Sequence, residues 1–493
     1  MRLLLDTNIL IPLEDSQIPL RASLANFVRL ANTNGHQLVY HPASEDDIRR
    51  DTDLIRRQQT LARLQQYIRI DDRLHCPWND ANTGPNDAAD NEILYSLYCD
   101  AAHALVTEDR RIHDKARARD LGDRVFTIQT AEDWLRRLHE QIPVQLPNVE
   151  ELSLYALTPH LGSPFFDSLR EGYPDFDKWF REKARENRKA WVTWEDHGVL
   201  GAICIYTQQT NETITQDGLV LPGAALKLST FKVGPTVRGR KIGELFLKAA
   251  FQYATANHLE NIFIHGDLDQ HHFLFELLED FGFSQVGIHP GTNGRDVSYL
   301  KRHPIAPPKD DTSIPFEYLR SYFPHFRAEP GVGKYVVPIK PKYHRVLFQD
   351  YDSPADRQLS LFRPANTAGN AIKQAYLCHA QIKNINPGDI VLFYRSEDER
   401  AITSLGIVED YQTLDDPSII ARRVSRRTVY SMDEIRRMAA KPTKVMLFRL
   451  VRHFENSLDH GWLQKSGIVN GNIQSIRSIT HQAFERIIQH AGI

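Results

Sequence analysis

Short apolar runs alternate with amphipathic stretches over the first 140 residues. The runs at 2–5 and 104–106 predict strands, and 87–101 and 131–140 predict helices with apolar residues at helical spacing. Alternating strands and helices are typical of a parallel sheet, because each crossover needs a helix. We therefore expect a parallel α/β fold in this part of the chain.

The middle of the chain has a different pattern. The β-rich segments 189–194 and 198–206 predict a hairpin, and 225–233 predicts a strand that leads through a glycine-containing loop into a helix. A further strand is predicted at 261–265.

The last part is richer in short strands and turns. A turn signal within 384–396 leads into one predicted strand, 401–409 is a second, and 480–490 predicts a terminal helix. Proline-containing interruptions fall at 141–147 and 302–312. The overall class expected is α/β and α+β multidomain.

A chain of 493 residues exceeds what one hydrophobic core usually supports. We expect a first domain over 1–140, a second over 148–302, a linker over 303–334 and a third domain over 335–493. The stretch 333–348 is too apolar and aromatic for a free linker, so we expect it to pack onto a neighbouring domain.

Composition restricts the class of protein. No apolar stretch approaches the ~18 residues of a membrane span, and a strand predicted from residue 2 leaves no room for a cleavable signal. The four cysteines are scattered without CxxC spacing, which is typical of reduced thiols in the cytoplasm rather than of a disulfide frame or zinc site. We expect a cytoplasmic protein without a membrane partner.

The formal net charge of -3 is unevenly distributed. Residues 1–145 carry 18 basic and 23 acidic side chains, 146–300 carry 14 and 20, and 301–493 carry 28 and 20. A basic final segment favours a polyanionic partner, although an ordinary solvated basic surface has the same composition.

Acidic residues follow the two predicted strands of the first part. Asp6 comes directly after 2–5, and Asp109 follows 104–106. Neighbouring parallel strands bring such ends together, and carboxylates there bind hard cations. Asp87 and Asp90 lie in the first turn of the predicted helix 87–101, where favouring the helix dipole is an alternative role.

The segments Leu-Leu-Asp6-Thr7-Asn8-Ile-Leu, Asp90-Asn-Glu-Ile-Leu and Leu-Val-Thr107-Glu108-Asp109 resemble the PIN-domain family. The resemblance implies a parallel sheet and a catalytic set of carboxylates that holds Mg²⁺ or Mn²⁺ to cleave RNA. That set would be Asp6, Glu45, Asp90 and Asp109, with Asp6, Asp90 and Asp109 as metal ligands and Thr7 or Asn8 orienting them. Asp46 and Asp47 compete with Glu45, and a fold without the chemistry is the alternative.

The loop 234–243 lies between a predicted strand and a helix N-terminus, where main-chain N–H groups and the helix dipole favour an anion. This segment resembles the coenzyme-binding motif of GNAT-type N-acetyltransferases. The strand 261–265 and the segment 273–283 match the last motif of that family. The resemblance implies a mixed sheet and acetyl-CoA as cofactor. The residues that would bind acetyl-CoA are Val233, Arg238, Gly239, Arg240, Lys241, Ile242 and Gly243. Lys241 replaces a family glycine, so a positive φ at this position would be strained.

A leucine, Leu278, occupies the position of the family's usual general acid, a tyrosine. Leucine cannot protonate a departing thiolate. Water, a substrate group or one of three polar side chains, His265, Asp267 and His271, is left for proton transfer. Each of the three is equally explained as an ordinary polar residue at a strand end or in a loop.

The strand pair of the last part resembles the small β-barrels of the PUA-like group, including ASCH and EVE domains, which commonly bind RNA. An arginine-rich stretch nearby would bind nucleic acid through Arg422, Arg423, Arg426 and Arg427. A solvated arginine-rich helix or loop is the alternative.

The combination predicts an acetyl-CoA-dependent N-acetyltransferase joined to a metal-dependent ribonuclease fold and an RNA-binding module. RNA, a protein or an aminoacyl-RNA is the expected partner or acceptor. The alternative is a metal-dependent ribonuclease, toxin-like or defence-like, whose GNAT-like domain only binds acetyl-CoA or acts as a scaffold.

Overall fold

The computed structural model describes residues 1–492 except 16–19, 71–75, 79–84, 141–148, 196–197, 235–236, 238–240, 292–293, 352–370, 426 and 428–429, and without the side chains of 85 and 86. The chain divides into two compact units. The first unit comprises 1–143 and 413–443, and the second comprises 144–412 and 444–493. The predicted boundary at 141–147 lies outside the described residues.

The first unit contains a five-stranded sheet in the order β3-β2-β1-β4-β5. All of its strand pairs are parallel. Its strands are β1 (Arg2–Leu5), β2 (Gln37–Tyr40), β3 (Ile68–Arg69), β4 (Ala104–Val106) and β5 (Val125–Phe126). The predicted parallel sheet is therefore present. β1 is its central strand, so the chain leaves the sheet at Asp6 between β2 and β4.

Seven helices connect or follow these strands. They are α1 (Thr7–Glu14), α2 (Ala22–Thr33), α3 (Pro42–Arg49), α4 (Leu54–Arg63), α5 (Pro85–Tyr98), α6 (Arg110–Arg117) and α7 (Ile128–His139). The apolar face of α5 packs against the sheet, where Leu4, Leu94 and Leu105 share one buried core. Burial on this scale is the main stabilising contribution in such a unit.

The second unit contains a seven-stranded sheet in the order β11-β12-β10-β9-β8-β7-β6. Its strands are β6 (Glu150–Ser153), β7 (Lys189–Trp194), β8 (Leu200–Thr210), β9 (Ala224–Val233), β10 (Asn261–Asp267), β11 (Ser284–Ile288) and β12 (Asp296–Arg302). The pair β9–β10 is parallel and the other pairs are antiparallel. The predicted hairpin is β7–β8, and the predicted mixed sheet is confirmed.

Four helices belong to this sheet: α8 (Asp167–Gly172), α9 (Phe176–Arg185), α10 (Ile242–Ala256) and α11 (His272–Asp280). α10 packs on the β9–β10 side of the sheet, where Phe246, Leu228 and Ile264 belong to one core. The order β9, loop, α10, β10 places the start of α10 beside the end of β9.

The same unit contains a six-stranded mixed sheet in the order β14-β17-β16-β15-β13-β18. Its strands are β13 (Lys334–Ile339), β14 (Lys373–Cys378), β15 (Ile390–Arg395), β16 (Ala401–Leu414), β17 (Thr443–Asp459) and β18 (Arg477–Ser478). The described strands form an open order with β14 and β18 at its edges, so the closed barrel predicted for this part is not observed among them.

The helices α12 (Pro315–Tyr322) and α13 (Pro341–Leu347) precede and follow β13, and α16 (His460–Lys465) and α17 (His481–Ala491) close the chain. The predicted linker 303–334 is a packed part of this unit, because Leu319 and Phe323 are buried in a core that also contains Phe246 and Ile390. The two sheets of the second unit therefore share one hydrophobic core.

Residues 413–443, between β16 and β17, belong to the first unit. They form the helices α14 (Pro417–Arg423) and α15 (Met432–Ala439). The buried Trp134 of α7 donates its indole N–H to the carbonyl of Ala421 at 3.1 Å. This insertion was not predicted.

Among the described residues, every helix is too short or too polar to span a lipid bilayer.

Candidate functional site

Asp6 begins the carboxylate site of the first unit. β1 ends at Leu5, and Asp6 caps α1 by accepting a hydrogen bond from the Thr7 N–H at 2.7 Å. Its second oxygen accepts from the Asn8 amide at 2.7 Å and from the Thr107 hydroxyl at 2.6 Å. All three donors are uncharged, so they hold the buried carboxylate without neutralising it.

The end of β4 is tied to the end of β1 by the same network. Asn8 also donates to Thr107 Oγ1 at 3.0 Å and accepts from the Glu108 N–H at 3.1 Å. Asp109 follows, donating its N–H to Thr107 Oγ1 at 2.9 Å and capping α6 through the Arg111 N–H. The two strand ends are thus fixed side by side, as the parallel pairing of β1 and β4 requires.

Cationic side chains of α6 lie beside the remaining acids. Lys115 Nζ is 3.3 Å from Asp90 Oδ2 and 3.2 Å from Asp87 Oδ1, and Arg111 is 3.6 Å from Asp109. Asp90 and Asp109 therefore have partial charge compensation, whereas the hydrogen bonds to Asp6 come from uncharged donors.

The acids of this site affect one another. Burial raises the pKa of Asp6 to about 6, hydrogen bonds from Thr107 and Thr7 oppose the rise, and the charges of Asp90 and Asp109 add to it. Burial likewise raises the pKa of Asp90; Lys115 opposes this rise and Asp109 adds to it. Like charges raise a carboxyl pKa only at short range. Asp6 and Asp109 are linked through the Thr107 hydroxyl, and the charge of Asp90 also acts on Asp6.

The donor set fits a hard divalent cation, because carboxylate oxygens are its preferred ligands and the charge of the buried Asp6 is uncompensated. Among the described residues, these acids do not place three ligand oxygens within 4.8 Å of one another. A cation would therefore require side-chain movement, with Lys115 the closest competitor for Asp90.

The predicted fourth carboxylate, Glu45, and its competitor Asp47 have different contacts. Glu45 forms ion pairs with Arg49 at 2.6 Å and Arg69 at 3.3 Å. Thr7 instead donates its hydroxyl to Asp47 Oδ2 at 3.4 Å. Residues two positions apart on a helix are rotated by about 200° around its axis, so Glu45 and Asp47 face different directions. Asp47 is linked to the Asp6 end of the site through Thr7 but also pairs with Arg50, so the identity of the fourth carboxylate stays a prediction.

The arginine-rich stretch belongs to the first unit. Arg423 forms an ion pair with Asp123 at 2.9 Å, and burial together with the charge of Arg124 lowers the pKa of Arg422. The main-chain N–H of Arg427 donates to the Val424 carbonyl at 2.8 Å, and Arg426 lies outside the described residues. At least Arg423 is thus held by the protein itself, and nucleic-acid binding by this stretch stays a prediction.

The second candidate site lies where β9 and β10 separate. Their parallel pairing runs from Leu226 to Leu228 on β9 and from Ile262 to Ile264 on β10, although both strands continue. A bulge at Ser229 shifts the register of β9 against β8 at this point. Beyond it, the edge of β9 that faces β10 has no pairing with that strand, which opens a wedge in the sheet.

The predicted cofactor loop leads from this wedge into α10. Val233 ends β9, Ile242 is buried at the start of α10, and a Cβ on Gly243 would lie 2.6 Å from Leu277 Cδ2. The glycine therefore allows α10 to approach α11 closely. Three further predicted cofactor-binding residues, Arg238, Gly239 and Arg240, lie outside the described residues.

Lys241 occupies the left-handed conformation that the family glycine position suggests, with φ 58° and ψ 22°. Its Nζ donates to the main-chain carbonyl of Lys373 on β14 at 2.8 Å. Glu244, in the first turn of α10, accepts the N–H of Lys373 at 3.1 Å. The strain expected for a positive φ at this position is present, and the ammonium binds the protein's own backbone.

Of the three side chains proposed for proton transfer, His265 has the most suitable surroundings. It lies on β10 one residue beyond the last pair with β9. Its Nδ1 is 3.2 Å from Asp296 Oδ2, and its ring stacks on His289 with centroids 3.6 Å apart. Tyr173 donates its hydroxyl to the same Asp296 oxygen at 3.4 Å.

The charges in this cluster favour an ionised Asp296 beside a neutral His289. Burial opposes ionisation of Asp296, but hydrogen bonding and charge from His265 and Arg295 outweigh it and lower its pKa. Burial, with the charge of His265 adding, lowers the pKa of His289 to about 4. Burial and the charge of Asp296 raise the pKa of Tyr173 to about 12.

The other two candidates have structural surroundings. Asp267 Oδ1 accepts the N–H groups of Asp269 at 2.9 Å and Gln270 at 3.2 Å. Burial lowers the pKa of His271, so its charged form is disfavoured. Leu278 is fully buried in the core. Sequence reasoning missed Asp296, because it reaches this cluster through the pairing of β10 with β12, which places it opposite Asp267.

Residues 153–283 match the model of the acetyltransferase (GNAT) family. This range contains β7 to β10, the cofactor loop and α11, so the second unit contains a GNAT-type acetyltransferase domain. No curated protein matches the chain.

Several solved structures are similar to parts of the chain. ASCH from Zymomonas mobilis is 11% identical, covers 32% of this chain and 94% of its own, and has a TM-score of 0.24. Naa20 from Chaetomium thermophilum, in complex with a bisubstrate analogue, is 16% identical and has a TM-score of 0.25; the match covers 32% of this chain and 86% of Naa20. A protein assigned to the GNAT family from Desulfovibrio desulfuricans is 14% identical, covers 32% and 99%, and has a TM-score of 0.24. Similarities of this strength do not establish a function.

Proposed function

We propose that this protein is an acetyl-CoA-dependent N-acetyltransferase whose active site lies at the wedge between β9 and β10. The observation that carries the proposal is the coincidence of the GNAT family match over 153–283 with a parallel strand pair that separates beside a loop and a helix N-terminus. Main-chain N–H groups at such a helix start are unpaired within the helix and favour a pyrophosphate.

The residues that would hold acetyl-CoA are Val233 and the loop from Arg238 to Gly243. When bound, acetyl-CoA supplies an acetyl group activated as a thioester. The ammonium of Lys241 is bound by the Lys373 carbonyl, so we expect main-chain N–H groups rather than this ammonium to contact the pyrophosphate.

His265 is the proposed general base. Asp296 holds Nδ1, which fixes the ring and leaves Nε2 to take a proton from an acceptor amine. An ionised Asp296 stabilises the imidazolium that forms. Tyr173 stays protonated at neutral pH because its pKa is about 12, so it does not act as the base and donates its hydroxyl to Asp296. Leu278 supplies no proton, and we assign proton delivery to the leaving thiolate to water.

The acceptor that suits this cluster is an amine that arrives as a cation, since the cluster contains the carboxylates of Asp267 and Asp296, with Arg295 at 3.8 and 3.5 Å from them. An amine on a protein or on an aminoacyl-RNA has this chemistry. RNA as a partner of the protein belongs to the proposal on the basis of the basic final segment.

Acetyl-CoA binding and turnover test the proposal separately. Acetyl-CoA at one hundred times its Kd should stabilise the protein by about 2.7 kcal/mol, seen as a higher Tm, and Arg238→Glu should remove the rise. Thiol release with a panel of amine acceptors should fall ~10²-fold or more in kcat for His265→Gln. His379→Gln, which changes an exposed histidine outside the cluster, is the matched control. Thermal stabilisation without thiol release for any acceptor would leave only a cofactor-binding domain.

A second activity is favoured by one specific observation, the uncompensated Asp6 beside Asp90 and Asp109. In this proposal the first unit is a PIN-like ribonuclease, and these acids with Asp47 would hold Mg²⁺ or Mn²⁺. The bound ion would lower the pKa of a water molecule that attacks the RNA phosphodiester. RNA cleavage that requires Mn²⁺ and disappears in Asp6→Asn, but persists in Glu45→Gln, is expected. Cleavage that survives Asp6→Asn would reject this second activity.

A further inference from the structure

A second group of reactive side chains lies at the six-stranded sheet of the second unit, with Ser404 on β16 and His453 on β17. Asp350 Oδ1 is 2.9 Å from His453 Nε2, and His453 Nδ1 is 2.8 Å from Ser404 Oγ. Lys248 Nζ of α10 lies 2.7 Å from the other oxygen of Asp350. A hydroxyl, an imidazole and a carboxylate in this order are the arrangement of an activated nucleophile.

A β-bulge creates the position of Ser404. Phe393 on β15 pairs with Ser404, but the next residue, Tyr394, pairs with Ile402, so Thr403 is the extra residue on β16. Successive residues of a regular strand point to opposite faces. At this bulge the hydroxyls of Thr403 and Ser404 lie 3.2 Å apart. Bulges that redirect a side chain are frequent next to active sites.

The hydrogen bonds of the group favour one direction of proton donation. Burial opposes ionisation of Asp350, but the hydrogen bond from His453 and the charge of Lys248 outweigh it and hold its pKa well below the ordinary range. An ionised carboxylate only accepts, so His453 Nε2 donates to it. With a neutral ring, Nδ1 then accepts from Ser404, and the serine hydroxyl is polarised towards the imidazole.

Access to the group is narrow. Ser404 is fully buried, whereas the side chains of His453, Asp350 and Lys248 are 18%, 14% and 20% exposed. The ring of Phe348 is 5.6 Å from that of His453. A substrate must therefore approach along the exposed edge of the imidazole, which favours a small acyl group.

We propose that Ser404, His453 and Asp350 form a nucleophilic triad that hydrolyses small carboxylic esters or amides. Ser404 Oγ forms a bond to the carbonyl carbon while His453 Nδ1 takes the hydroxyl proton. The ester or amide bond breaks, and the proton passes from His453 to the leaving alcohol or amine. Water then attacks the acyl-serine with the same base, releasing the carboxylic acid and restoring the serine. This activity does not depend on the acetyltransferase proposal.

The test is covalent labelling of the full chain with diisopropyl fluorophosphate, which loses fluoride when a serine oxygen bonds to phosphorus. Mass spectrometry of the unaltered protein should place the adduct on the peptide that contains Ser404. Hydrolysis of p-nitrophenyl acetate should be lost in Ser404→Ala. It should slow ~10²-fold or more in His453→Gln and in Asp350→Asn.

Ser396→Ala is the matched control, because this serine directly follows β15 of the same sheet and its hydroxyl donates to the Ile339 carbonyl. It should leave labelling and hydrolysis unchanged. Mapping the adduct on the unaltered chain keeps the test decisive even where a Ser404 variant does not fold. No adduct, or an adduct on another residue, would overturn the proposal and leave the group a structural network.

Discussion

The conformation of Lys241 leads to a prediction that separates backbone strain from side-chain bonding. The residue has φ 58°, and its ammonium donates to the Lys373 carbonyl at 2.8 Å. Lys241→Met removes the ammonium but keeps the Cβ that disfavours this conformation. Lys241→Gly removes both, so the two variants differ mainly in the cost of the left-handed backbone.

The expected magnitudes follow from these contacts. Losing a hydrogen bond from a charged, half-buried donor costs about 1–2 kcal/mol in both variants. Glycine also removes the cost of about 1–2 kcal/mol that a residue with a Cβ has in the left-handed conformation. Against this gain, glycine gives the unfolded chain more conformational entropy, which favours unfolding by about 0.4–1 kcal/mol. Lys241→Gly should therefore be more stable than Lys241→Met by about 0.5–1 kcal/mol.

Urea unfolding of the full chain measures this difference. Hydrogen exchange of β9 amides identifies the transition of the second unit. For a denaturant slope of about 3 kcal/mol/M, the midpoints of the two variants should differ by about 0.2–0.3 M. A Lys241→Met variant at least as stable as Lys241→Gly would refute the left-handed assignment. Two variants as stable as the unaltered protein would show that the bond to Lys373 contributes nothing.

Three further predictions concern buried polar groups. Arg449→Ala removes a guanidinium 2.8 Å from Asp280, a partly exposed carboxylate that Lys373 still pairs with, so the unfolding free energy of the second unit should fall by about 1.5–3 kcal/mol; a loss below about 0.5 kcal/mol in urea unfolding would contradict this. Trp134→Phe leaves the Ala421 carbonyl without its indole donor, so trypsin should cleave 413–443 about tenfold faster, and an unchanged rate would show that the bond does not hold the segment. The pKa of Asp6 is about 6 in the folded unit against an ordinary 3.8, so the folded unit binds a proton that the unfolded chain releases, and its stability should fall as the pH rises from about 4 to 6. Exchange of β1 amides, corrected for intrinsic rates, should quicken up to ~10²-fold over this range, and persistence of the effect in Asp6→Asn would exclude Asp6 as its source.

Local patterns predicted the elements that lie around both sites. Apolar runs followed by acids located β1 and β4, and parallel pairing alone explains why Asp6 and Asp109 approach each other. The strand, loop and helix around Lys241 were also evident from spacing. These features depend on residues close together in sequence, which is the range over which periodicity carries information.

Features that depend on side-chain direction or distant pairing were not predicted. The choice between Glu45 and Asp47 depends on which face of α3 meets Thr7, and three consecutive acids give no signal for that. Asp296 meets His265 only because β12 lies antiparallel to β10 in one register. The segment 303–334 was predicted as a linker from its prolines, although Leu319 belongs to the core.

The insertion of 413–443 has a consequence for dividing the protein into fragments. Because the first unit is assembled from two separate stretches, cutting the chain near 141–148 does not yield two complete halves. A fragment ending at 143 lacks α14 and α15 and exposes the indole of Trp134, while the complementary fragment carries two helices without their packing surface. Mixing the two fragments should restore a native-like first unit, whereas either alone should expose apolar surface and aggregate. The genetic gain or loss of one unit is constrained for the same reason.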